Sequence, residues 1–331
     1  MPPAPIFDEI NLPDDVPESR QTAANAPIKT LFSLAGRTIV VTGGGRGVGI
    51  VLATAIVEAR GCVACLDVLE RPSEPQWHAL QSLAKRTGLS ATYYRCDITD
   101  EPLLSRTLQR VADEGYAKQV PFAGIVACAG IKQMVAAVDQ PKDQFCQMMN
   151  VNVTGTFLTA KHASRIFIKE RTHGSIVLVA SRSGQLANRG LTCTAYSTSK
   201  SAVHQMCRSM AQEIGVHGIR INTLSPGYVR TAMLDELLTA RPDLESTYLQ
   251  GPLLGRLGAP EDLKAPTIFL LASGSSYMTG ADLRIDGGHC ASALDMRIGQ
   301  VRALGTYQIV LANLRPPETW GVRWALYLEQ S

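Results

Sequence analysis

The stretch Tyr196-Ser197-Thr198-Ser199-Lys200 sets a phenol and an ammonium four residues apart. On a helix, residues four apart share one face. A free phenol has a pKa of about 10, too high for a base near neutrality. A nearby positive charge favours the phenolate and lowers that value. The pair could therefore serve as a general acid/base for a hydroxyl proton. The same spacing also suits an ordinary exposed helix face. Ser181 follows the apolar run SIVLVA at 175–180, where a hydroxyl could donate to a substrate oxygen. Asn152 lies inside a helical pattern. It could point to solvent, or hold a water between Lys200 and bulk.

A second group of residues suits a diphosphate. RTIVV at 37–41 runs into Thr42-Gly43-Gly44-Gly45-Arg46-Gly47-Val48-Gly49 and then into a helical pattern. Glycine reaches backbone angles closed to other residues and lets a ligand approach the main chain. A helix start adds free N–H groups and a partial positive charge. A Gly-rich turn alone is a weak signal, but the strand before it and the helix after it are the required context. Asp67 ends the second strand, about 20 residues past the glycines, where a carboxylate accepts from ribose hydroxyls and repels a 2′-phosphate. That favours NAD(H) over NADP(H). Arg46 argues the other way, since a guanidinium can pair with phosphate. Asp97, followed by Ile98, could accept from an adenine amino group or cap the helix near Pro102. Ala129 and Gly130 end a fourth strand and are small enough for a nucleotide to lie against them.

These residues need a scaffold, and the chain supplies one by alternation. Strand signals at 37–41, 62–67, 91–96, 123–129, 175–180, 219–225 and 281–285 alternate with helical patterns at 48–60, 76–87, 102–114, 144–169, 195–215 and 261–272. Right-handed crossovers then build a doubly wound, Rossmann-type parallel sheet in an α/β domain. The near-continuous apolar strands agree with burial on both faces. The domain should span 34–290, with an extension at 1–33, a lid at 227–258 and a further extension at 291–331. Tyr228, Met233, Leu234, Leu237 and Leu238 could form an apolar wall of that lid, or simply pack it together. The last extension carries Trp320, Trp324 and IVLANL, and its role is not legible.

Composition narrows the function classes. The 331 residues include 32 basic and 29 acidic side chains, a net charge of +3, with no basic run. Neither nucleic acid nor a membrane surface is implied. No run of about 18 apolar residues predicts a spanning helix, and the start lacks the layout of a secretory signal. The eight cysteines are scattered, which predicts a reduced, cytoplasmic setting. Cys62 and Cys65 form the one C-x-x-C, but on a strand they face opposite ways. The six histidines show no ligand spacing with Cys, so no metal site is expected.

Taken together, Thr42-Gly43-x-x-x-Gly47-x-Gly49, Asp97, Ala129-Gly130, Asn152, Ser181, Tyr196-x-x-x-Lys200 and Pro226-Gly227 resemble the successive motifs of the short-chain dehydrogenases/reductases. The resemblance covers about residues 34–290. It implies a sheet order 3-2-1-4-5-6-7, with Tyr196 as proton donor or acceptor and Ser181 polarising the substrate oxygen. Lys200 would lower the tyrosine pKa and hold the nicotinamide ribose, and Asn152 would carry a proton-relay water. Thr231 would bind near the carboxamide or diphosphate, with backbone contacts from Val229. Homo-oligomers, dimer or tetramer, would form on the helices at 144–169 and 195–215. The family usually has Asn where Cys128 stands. Ser181 rather than Ser183 is the expected catalytic serine, three residues before Gly184. The stretch 222–228 is similar to that of sugar-alcohol and ketose reductases.

The expected partner is thus a small carbonyl or alcohol, interconverted by hydride transfer. Two other readings keep the same residues: an inactive NAD(P)-sensing protein, and an epimerase or dehydratase with retained NAD.

Overall fold

The computed structural model describes residues 26–188 and 190–291. The extension at 1–25, the tail from 292 and the side chains of Met233 and Leu237 lie outside the described residues. Seven strands form one parallel sheet: β1 (Thr38–Thr42), β2 (Cys62–Asp67), β3 (Ala91–Arg95), β4 (Phe122–Ala127), β5 (Ser175–Val179), β6 (Arg220–Pro226) and β7 (Asp282–Ile285). Their order is β3-β2-β1-β4-β5-β6-β7, as expected. Each neighbouring pair is parallel. The chain crosses over between β1 and β4, so their carboxyl ends diverge and open a crevice.

The strands are apolar throughout, yet their side chains still alternate. Val40, Ala64, Leu66, Ile125, Ile176 and Leu178 face one core. Ile39, Val41, Val63, Cys65, Val126 and Val177 face the other. The first core is closed by α3 (Glu101–Ala117), α5 (Thr156–Lys169) and α6 (Thr194–Ile214). The second is closed by α1 (Gly47–Glu58), α2 (Glu74–Thr87) and α9 (Lys264–Leu271). Cys62 and Cys65 are both buried and unpaired in β2.

Two elements differ from the sequence pattern. The helix expected over 144–169 is α4 (Lys142–Met149) and α5 joined by a wide π turn at Asn150–Gly155. Gly155 is needed there, because a Cβ would stand 2.6 Å from Ile98 Cδ1. The segment at 227–258, to which the sequence pattern assigns no elements, carries α7 (Ala232–Ala240) and α8 (Glu245–Leu249). Leu234 and Leu238 pack with Leu244 and Tyr248 into a small cluster separate from both main cores.

The cap of α3 also falls elsewhere. Asp100, not Asp97, is the N-cap, its carboxylate accepting from Leu103 N at 2.9 Å. Asp97 instead closes a local turn, accepting from the backbone and hydroxyl of Thr99. Asp100→Ala should lower the unfolding free energy by about 1 kcal/mol, the usual worth of an N-cap. Urea denaturation measures this, and an unchanged midpoint would remove Asp100 from that role.

Candidate active site

The carboxyl ends of the central strands gather most of the expected residues. The loop after β1 turns at Gly43 (φ 67°) and Gly47 (φ 58°), angles that favour glycine. A Cβ at Gly43 would meet Ala129 Cα at 2.8 Å, and one at Gly49 would collide with Gly43 O. The loop is therefore pressed against the end of β4 and closed by a further bond, Ala129 N donating to Thr42 Oγ1 at 3.3 Å. Arg46 precedes the first turn of α1 with an extended backbone and makes no side-chain cap. The N–H groups there face outward without a capping side chain, which suits an anion. Val48 packs on the adjacent core.

Asp67 sits where its carboxylate meets this loop. Gly45 N donates to Asp67 Oδ2 at 2.9 Å, and Leu69 N to Oδ1 at 3.2 Å. A Cβ on Gly45 would meet the same oxygen at 2.9 Å. Farther out, Asp97 is exposed, while the Ile98 side chain is buried under Gly155. A glycine cradle, an uncapped helix start and a fixed carboxylate together fit a dinucleotide: the loop for its diphosphate, Asp67 for its adenosine ribose.

The reactive side chains converge next to that cradle. Tyr196 and Lys200 lie one turn apart on α6, and Lys200 Nζ is 5.7 Å from the Tyr196 ring centroid. Lys200 is buried and donates to Val179 O at 2.8 Å. Ser181, just past β5, carries a hydroxyl near enough to the Tyr196 phenol to oppose the effect of burial on it. Its Oγ also accepts from Ser183 N at 3.1 Å. Ser183 Oγ turns instead to Asn188, so Ser181 is the serine that meets the phenol. A Cβ on Gly130 would lie 3.2 Å from Asn152 Oδ1 and 3.7 Å from Lys200 Nζ, which packs the end of β4 against both.

Asn152 does not point to solvent. It is fully buried in the π turn. Its Oδ1 accepts from Ile131 N at 2.8 Å, and its Nδ2 donates to Ile131 O at 2.9 Å and Ser199 Oγ at 3.0 Å. Both amide hydrogens are thus committed within the protein. The side chain clamps the loop after β4 onto α6.

Beyond β6, Gly227 N donates to Ile285 O, and a Cβ on Gly227 would meet Asp286 Cα at 2.6 Å. Val229 pairs with Gly258 in an isolated parallel bridge. Thr231 Oγ1 accepts from Leu234 N at 3.4 Å at the start of α7.

Without cofactor, Lys200 is not among the groups that shift the Tyr196 phenol. Burial pushes the phenol up to about 12, opposed by the Ser181 hydroxyl and the Arg182 charge. The lysine is turned toward Val179 O, and burial pulls its own pKa down to about 8. Desolvation therefore dominates at both groups. For Lys200 the folded value lies below the unfolded one, so its burial costs stability below pH 8. That cost is relieved as pH rises from 8 toward 10.5.

Sequence reasoning missed three residues here. His204 lies four past Lys200, on the same helical face, a signal the chain did carry. Its Nε2 is 3.2 Å from Ser181 O; since a carbonyl only accepts, Nε2 carries the hydrogen. Ser225 and Thr223 close this network by donating to Asp282 Oδ1 at 2.6 and 2.7 Å. Lys132 Nζ is 5.7 Å from the Tyr196 ring centroid. Arg182, next to Ser181, is almost wholly buried, at 1% exposure. No local pattern marks either of these two.

Comparison with known proteins agrees with this geometry. Residues 43–289 match the family described as enoyl-(acyl carrier protein) reductase. The chain is 41% identical over 268 residues to the short chain dehydrogenases/reductase notP' of Aspergillus versicolor, covering 80% of this chain and 90% of that protein. It is 35% identical to a galactitol 2-dehydrogenase (L-tagatose-forming) of Cereibacter sphaeroides, covering 79% and 98%. Among solved structures, a gluconate 5-dehydrogenase from Burkholderia cenocepacia J2315 in complex with NADP and tartrate superposes with a TM-score of 0.70. It is 26% identical, with 80% of this chain and 99% of that one covered. Among the described residues no helix is long and apolar enough to cross a membrane. The chain belongs to the short-chain dehydrogenase/reductase family of NAD(P)-dependent oxidoreductases, which act on small-molecule alcohols and carbonyls.

Proposed function

We propose that this protein interconverts a carbonyl and a secondary alcohol on a small polar molecule, with NAD(H) as the hydride carrier and Tyr196 as the acid/base. The observation that carries this reading is the convergence of Tyr196, with Lys200 Nζ 5.7 Å from its ring, and the Ser181 hydroxyl at the carboxyl end of β5. This group stands beside Gly130, at the strand ends where the glycine cradle also lies. A bound nicotinamide supplies or accepts the hydride. In reduction, Ser181 and Tyr196 hydrogen-bond the carbonyl oxygen, and the phenol proton passes to that oxygen as charge develops there. In oxidation, Tyr196 takes the hydroxyl proton. Lys200 would hold the nicotinamide ribose, and Asn152 and His204 hold the surrounding backbone in register. The lid is 227–258, with Leu234 and Leu238 packed beside Tyr248 and against Met134 and Leu191 at the edge of the crevice.

Asp67 supports NAD(H) over NADP(H), since a carboxylate fixed on the loop repels a 2′-phosphate. The polyol relatives support a hydroxylated substrate, a polyol, a ketose or a specialised metabolite. Phe157 and Ile168 leave exposed apolar surface on α5, which supports a homo-oligomer, dimer or tetramer, on that helix. The setting that fits eight free cysteines is the cytoplasm.

Tyr196→Phe should lower kcat/KM by ~10³-fold on a polyol and ketose panel followed by nicotinamide absorbance. Wild-type turnover by that variant would end the assignment. The pH profile follows from the buried phenol. Reduction uses the protonated form and should stay flat through neutrality, whereas oxidation uses the phenolate and should climb with pH. Equal profiles in both directions would contradict the role. Asp67→Ser should shift the NADPH-to-NADH ratio of kcat/KM upward by about tenfold, worth ~1.4 kcal/mol. A wild-type enzyme that already prefers NADPH would overturn the cofactor choice.

A further inference from the structure

We infer that Arg182 is the anchor for a carboxylate on the substrate, so that the molecule turned over is an acid carrying its reactive carbonyl or hydroxyl at a separate carbon. This inference rests on the reading of Tyr196 and Ser181 as the reacting end of the pocket.

Arg182 opens the short turn Arg182–Gly184 that directly follows Ser181. It is only 1% exposed and ranks among the largest fully buried side chains. Yet among the described residues none of its Nε, Nη1 or Nη2 atoms has a hydrogen-bond partner. A guanidinium offers five N–H donors and cannot shed its charge. Burying it without an acceptor is expensive, and such groups are nearly always paired. One flat face is covered, its Cζ lying 4.0 Å from the Tyr228 ring centroid. That contact orients the plane and leaves the donor edge unused.

The carboxylates at this end of the sheet are already committed. Asp282 accepts from Thr223 and Ser225. Asp286 accepts from Gly288 N and Cys290 N and lies 3.7 Å from Arg284. Arg182 directly follows Ser181 in the chain and lies over Tyr228 at the start of the 227–258 segment, so its guanidinium sits at the same end of the sheet as the reacting residues. A second cation closes the same region: Lys132 Nζ is 5.7 Å from the Tyr196 ring and 5.8 Å from the Tyr248 ring. A planar guanidinium edge matches the two oxygens of a carboxylate. One buried guanidinium with one more exposed ammonium suits a monoanion better than a phosphate dianion.

The test is a matched comparison on the full-length holoenzyme. Gluconate is set against glucitol, 2-hydroxy acids against their amides, and a sugar phosphate is included. Wild type should favour the acid over its neutral partner by at least about tenfold in kcat/KM, mainly through KM. In Arg182→Met that acid-to-neutral ratio should fall to near one, and in Lys132→Met it should fall partway. A purely structural arginine would lower both rates and leave the ratio intact, which would overturn the inference. So would a wild-type enzyme indifferent to the charge, or one preferring the sugar phosphate. If Arg182→Met does not fold, the wild-type ratio and the Lys132→Met ratio decide. A wild type with no acid preference, or an Arg182→Met that keeps it, sinks only the carboxylate anchor when Tyr196→Phe is still inactive. If no alcohol or carbonyl reacts while gluconate still raises the wild-type Tm but not that of Arg182→Met, the anchor stands and the Tyr196 reading falls.

Discussion

The site depends on a contest at one phenol. Burial drives Tyr196 toward the protonated form, and the Ser181 hydroxyl pulls the other way. A group balanced like this can hold a proton through neutrality and still release it to a suitable oxygen. Much of the surrounding structure exists to keep the two side chains at the same place. Ser181 is fixed from behind, by Ser183 N on its hydroxyl and by His204 on its carbonyl. Tyr196 and Lys200 are fixed by α6, whose other contacts run through Ser199 to Asn152 and on to the loop after β4. The sheet supplies the common plane from which all of these groups depart.

Such a site is costly to the fold. Lys200 is buried and donates to the Val179 carbonyl, and the Arg182 guanidinium has no hydrogen bond among the described residues. Two cations held out of water weaken the folded state unless a ligand compensates them. The Rossmann core offsets the cost, since every residue of β1 is buried and both faces of the sheet are closed by helices. The 227–258 segment packs around Tyr248 in a cluster separate from both main cores, shared with Met134 and Leu191.

Much of this was legible in the sequence because the signals were local. The alternation of apolar runs and helical patterns gave a parallel sheet, the family resemblance implied its strand order, and Tyr196 to Lys200 is a single helical turn. Gly43, Gly47 and Gly49 declared themselves through spacing. What stayed hidden was set by contacts across the fold. The π turn at Asn150–Gly155 is forced by Ile98, 50 or so residues away, and by the clamp from Asn152 to Ile131. The α3 cap went to Asp100 because Asp97 is absorbed by Thr99. The desolvation that dominates at Tyr196 was not legible, because charge spacing is visible in a sequence and burial is not. Arg182 reads as an ordinary surface residue until its burial is seen.

The most direct test is the ionisation of Tyr196 itself, followed by NMR of a 13Cζ-tyrosine label, with Tyr196→Phe assigning the signal. The resonance should stay phenolic well above neutrality in the protein alone and titrate later still in Ser181→Ala. Addition of NAD+ should bring the ionisation down toward neutral pH. A signal that titrates like a free phenol, and ignores both Ser181 and NAD+, would show that this hydroxyl does not face the reacting atoms.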